Sequence, residues 1–158
     1  MSELEQWQND IRVYDEKYET LYVKIKEHTN AATKLVRGQA TTPMLEKSAV
    51  ELALCNQQLV DIRAMAGTIF RGTNKFYELT KGACKANLIK EKNIAEEAAE
   101  SEALALSIEE FTVMDQAAYN LDIADKRYES TNTMIHTLLV ELGYGKAKSN
   151  SKNTSDVH

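Results

Sequence analysis

The chain has 158 residues, 43% of them hydrophobic and 27% charged, and a formal net charge of −5. That is too apolar for an intrinsically disordered chain, and one proline with six glycines leaves too few turn residues for a β-sandwich. The acidic balance argues against a general nucleic-acid coat, which needs a basic surface, but leaves room for a local basic patch.

The pattern predicts an all-α fold: a single domain over 1–145, built as an elongated antiparallel helical hairpin or bundle with coiled-coil-like seams. Its helices fall at about 3–37, 43–71, 75–106 and 108–142. The first opens with Ser2 and Glu5, the spacing of a capping box, in which each side chain satisfies the other residue's free amide. Leu4, Trp7, Ile11, Tyr14, Tyr18, Leu21, Ile25, His28, Ala32 and Leu35 then recur in steps of three and four, a seam-like stripe. Arg37 and Gly38 supply a cationic last turn and a stop.

Thr42-Pro43 reads as an N-cap followed by proline at the first helical position. The link before it is short, which favours an antiparallel hairpin. Leu45, Ser48, Leu52, Cys55, Leu59, Ile62, Ala66 and Ile69 form the second stripe, and Gly67 and Gly72 point to a break near 71–74. Residues 75–106 are rich in alanine, lysine and glutamate and show no dominant stripe. Ser107 and Glu110 resemble a second capping box. The last stripe is Phe111, Met114, Ala118, Leu121, Asp125, Tyr128, Asn132, Ile135, Leu139 and Leu142, stopped by Gly143-Tyr144-Gly145. The polar tail 146–158 is expected to be disordered.

Cys55 and Cys84 stand far apart, form no CxxC pair and read as small apolar residues, so a reducing compartment is expected. The first residues lack the basic and apolar regions of a signal peptide. No apolar run approaches the roughly 20 residues that span a bilayer. The expectation is a cytoplasmic protein without a membrane partner.

Catalytic signatures are missing from the sequence. Carboxylate-bridged metal bundles need Glu-x-x-His, which places both ligands on one helix face. The chain has neither that motif nor HExxH, and its three histidines, His28, His136 and His158, are widely spaced. No Gly-x-Ser-x-Gly elbow or phosphate-binding glycine loop is present. The chain therefore reads as a non-enzyme without metal, cofactor or small-molecule substrate.

Two features point to partners instead. Trp7, Ile11, Tyr14, Tyr18, Leu21 and Ile25 on the first stripe, with Asp125, Tyr128, Asn132, Ile135 and Leu139 on the last, suit a seam that joins copies of the chain or grips a partner helix. His28, Asp125 and Asn132 are polar intruders of the kind that set register, or else lie at a wet edge. Lys17 and Lys24 against Asp115, Asp122 and Glu129 follow the flanking pattern of parallel neighbours.

The second feature is the stretch 70–92, with six basic and two acidic residues. Phe70, Arg71, Lys75, Phe76, Tyr77, Lys81 and Lys85 combine cations with aromatic faces, as single-strand nucleic-acid sites do. The plainer reading makes the aromatics core and the lysines a wet face. In overall design (small, helical, oligomer-prone, with a basic-aromatic centre) the chain resembles phage recombination mediators, a likeness of design that rests on no shared motif. It implies nucleic-acid binding as the alternative to a scaffold. Between 93 and 114 the sign reverses, with six glutamates and no lysine or arginine. The two runs can dock between copies or neutralise one another within one chain.

Overall fold

The computed structural model describes residues 1–38 and 40–143, and every regular element among them is an α-helix. The order is α1 (Glu3–Arg37), α2 (Thr42–Lys92), α3 (Glu96–Leu106) and α4 (Ile108–Glu141). Among the described residues no helix is long and apolar enough to cross a membrane. The tail expected to be disordered, 146–158, lies outside the described residues. The chain forms two compact units: unit 1 comprises Met1–Glu16 and Ile62–Ala124, and unit 2 comprises Lys17–Asp61 and the segment from Asp125 onward.

The start of α1 is the expected capping box. Ser2 N donates to Glu5 Oε2 at 2.6 Å, and Glu5 N donates to Ser2 Oγ at 3.2 Å. Helix α2 begins at Thr42, the residue expected to cap it, one residue earlier than predicted. Thr41 O accepts from Leu45 N at 3.2 Å, so Pro43 sits inside the first turn, where its missing amide costs nothing.

The expected break at 71–74 does not occur, and α2 runs unbroken for 51 residues. The reason lies in unit 1, where Gly72 is a notch for Trp7. A Cβ placed there would collide with the indole Cη2. A helical glycine costs about 1 kcal/mol, which packing of an aromatic ring can offset. Thr73 beside it is buried, and its hydroxyl donates to Ile69 O at 2.9 Å.

The break falls at 93–95 instead and divides the expected helix 75–106. Asn93 has φ +52°, in the left-handed region that asparagine tolerates better than most residues. Leu88 of α2 and Ala99 and Ala103 of α3 form a small core behind this turn, with Cys84 and Ile94 against it. Ser107 stands directly before α4, the helix start expected there, but its side chain does not make the capping-box bond. It is fully buried, and its hydroxyl donates back to Ala103 O at 2.8 Å. Its backbone bonds continue the helical pattern on both sides, from Ser107 N to Ala103 O and from Phe111 N to Ser107 O. The α3–α4 junction is one residue wide.

In unit 2, Ala32, Ala49, Leu52 and Leu138 form a core that draws on α1, α2 and α4. Only four residues separate Arg37 from Thr42, and His28 lies 3.9 Å from Glu51, so α1 and α2 are antiparallel there. Arg127 lies over Tyr22 and, further along both helices, Ala32 and Leu138 share one core, which makes α1 and α4 parallel in this unit.

The buried ridge of α4 is not the expected stripe. It is Val113, Ala117, Asn120, Ala124, Thr131 and Leu138, one residue earlier in register. Small side chains sit on the inner line because they let helix backbones approach closely, and the larger Leu121, Tyr128 and Ile135 flank it half-buried. Asn132 and Leu139 fall outside the ridge and are exposed.

Candidate interaction surfaces

Ile11, Tyr14, Leu21 and Ile25 are buried, while Trp7, Tyr18, Asp125, Tyr128 and Ile135 are half-buried. In unit 1 the Tyr14 hydroxyl donates to Asn120 O at 3.0 Å. In unit 2 the Tyr18 ring stacks on Tyr22 at 6.1 Å, and the Arg127 guanidinium lies over Tyr22 at 4.4 Å. The α1 ridge is thus covered largely by the chain itself. Area already buried within a subunit is not available to bury against a partner.

Of the polar intruders, His28 and Asp125 sit at half-buried edges, and Asn132 faces outward, where it cannot set register. The buried polar residues are others. Asn120 donates from Nδ2 to Asp15 Oδ1 at 2.9 Å and accepts from Gln116 Nε2 at 2.9 Å. Partial burial pushes the Asp15 carboxyl above its usual range, more than the Asn120 hydrogen bond lowers it. Asn56 Oδ1 and Thr131 Oγ1 are buried without a hydrogen-bond partner among the described residues. Asn120 follows Val113 and Ala117 and precedes Ala124 at steps of three and four. A search for small residues at that spacing, rather than for large apolar ones, would have found it.

The basic-aromatic stretch separates into core and ion pairs. Tyr77 is buried, edge-to-face on Phe111 at 5.6 Å between centroids, with the Lys81 ammonium 5.2 Å from its ring centre. Phe70 and Phe76 are half-buried. Lys81 pairs with Glu78 at 3.3 Å and Glu100 at 3.8 Å, Lys85 with Glu100 at 2.9 Å and Glu96 at 3.1 Å, and Lys92 with Glu102 at 3.0 Å. Hydrogen bonds to these glutamates hold Lys81 and Lys85 above the usual lysine range, and the Lys85 hydrogen bond holds Glu100 below the usual carboxylate range. Arg71 and Lys75 face outward, Arg71 with a long contact of 3.4 Å to Thr68 Oγ1. The positive and negative runs pair with each other within one chain, so Tyr77 and three of the six cations are committed.

Apolar surface remains elsewhere. In unit 1, Leu104, Ile108 and Phe111 are 43%, 56% and 40% exposed at i, i+4 and i+7 across the α3–α4 junction. Leu106 is 58% exposed beside a shallow groove of about 190 Å³ lined by Cys84, Asn87, Leu88, Glu91 and Lys92. In unit 2, α2 presents Val50 and Leu54 outward. Among the described residues no group of three His, Cys, Asp or Glu side chains is placed to hold a metal ion. Cys55 is buried and its thiol is pushed up chiefly by that burial, the reverse of an activated nucleophile. Comparison with known protein families, curated proteins and solved structures finds no match to this chain.

Proposed function

We propose that the chain is a non-enzymatic helical scaffold that holds a second copy or a helical partner through apolar faces left outside its own bundle. The observation that carries this reading is the Leu104–Ile108–Phe111 stripe, three large exposed apolar side chains at i, i+4 and i+7, with no charge from 103 to 108 and Glu109 and Glu110 between the last two. Contiguous apolar surface of this kind is what the centre of an interface buries. The α1 ridge, by contrast, is already in use as core. Light scattering of the full chain over a hundredfold concentration range tests the reading. The expected mass rises above that of one 17.8 kDa chain, and Ile108→Glu reduces the rise. One-chain mass throughout contradicts it.

The alternative, single-strand binding on residues 70–92, has less support because Tyr77 is core and Lys81, Lys85 and Lys92 are paired with glutamates. A short single-stranded oligonucleotide at about 50 mM salt is expected to leave the mass unchanged. Binding that weakens steeply with salt would reverse the preference.

A further inference from the structure

The outer face of α2 in unit 2 has a charge order that matches itself. Lys47, Val50, Leu54, Gln57 and Asp61 follow one another in steps of three and four, so they share a helix face, and all five are exposed. Val50 and Leu54 are 59% and 53% exposed. Lys47 and Asp61 each lie seven residues, about 10 Å, from Leu54, on opposite sides of it. Neither forms an ion pair among the described residues. Between them the sequence holds one charge, Glu51, which is placed toward His28.

We propose that this face is a self-complementary dimer surface, on which two copies pack α2 against α2 antiparallel with Leu54 on the two-fold axis. Lys47 of each copy then lies opposite the partner's Asp61. Pairing in parallel would set lysine against lysine and aspartate against aspartate, so charge selects the antiparallel form. A two-fold axis repeats each contact, and one opposed pair becomes two. The apolar centre supplies affinity, while exposed pairs chiefly set register, each being worth at most about 1 kcal/mol. A helix pair only two heptads long falls below the standard interface size, so the dimer forms in the micromolar range. The proposal rests on the scaffold reading and gives it a definite partner: the chain itself.

Sedimentation equilibrium of the full chain tests it, with circular dichroism to show that each variant keeps its helix content. Wild type associates, Leu54→Arg weakens that association, and Leu54→Arg combined with Ile108→Glu leaves only monomer. Lys47→Asp and Asp61→Lys each raise the dissociation constant about tenfold. An equimolar mixture of those two variants recovers the wild-type constant, because every contact across the axis again joins opposite charges. A mixture no tighter than either variant alone, or single variants that dimerise like wild type, overturns the proposal. If wild type associates and all these variants behave like it, this face is refuted while the scaffold reading stands. If wild type stays monomeric at every concentration, both fall.

Discussion

Helices α1 and α4 bury ridges with similar steps but opposite make-up. On α1 the inner line is Ile11, Tyr14, Leu21, Ile25 and Ala32; on α4 it is Val113, Ala117, Asn120, Ala124, Thr131 and Leu138. The first fills space with large side chains. The second supplies space, so that its neighbours' side chains and backbones come close. A large-residue ridge is therefore weakened by truncation, and a small-residue ridge is weakened by enlargement.

That contrast can be broken by experiment. Leu21→Ala is expected to cost about 2–5 kcal/mol, the range for a buried leucine that leaves a cavity, measured by urea unfolding. Ala124→Leu is expected to cost about 1–3 kcal/mol although it adds apolar area, because the site is fully buried and filled. A neutral or stabilising Ala124→Leu would mean that α4 does not pack closely. Gly72→Ala is expected to cost about 1 kcal/mol after its gain in helix propensity, since the new methyl displaces the Trp7 ring. Trp7 is the sole tryptophan, so a red shift of its emission reports that displacement directly. Smallest is Leu139→Ala, at about 0.5 kcal/mol, because this leucine is 37% exposed. A loss equal to that of Leu21→Ala would restore the register read from the sequence for α4.

Much of the fold was legible where large side chains carried it. Helix α1, its capping box and the first part of α2 follow from apolar spacing and from Ser2 and Glu5. The α4 register was not legible in that way, because Ala117, Asn120 and Ala124 carry almost no hydrophobic signal and the larger residues beside them do. Nor was the continuity of α2: glycine is read as a breaker unless the ring that fills its notch is known, and Trp7 lies 65 positions away in sequence. Asn93 was not legible either, because one asparagine in a lysine-rich helix carries little signal without its backbone angle. The basic and acidic runs were visible in the sequence, as was the possibility that they cancel. Only the distances from Lys81 and Lys85 to Glu100 show that they do so within one chain. The apolar faces proposed to meet partners were hidden for a different reason: exposure is a property of the packed bundle, and Leu54 and Leu52 look alike until one is covered.

The central claim is that the α1 and α4 ridges are covered by the chain itself and that association uses outer faces. Thermal unfolding of the Leu54→Arg, Ile108→Glu double variant, which lacks both outer faces, at two protein concentrations a hundredfold apart tests it most directly, because a fold completed by a second copy is stabilised by mass action. The account predicts the same midpoint at both concentrations, with full helix content before the transition. A midpoint that climbs by several degrees with concentration would contradict it, since the ridges would then need another chain to close over them.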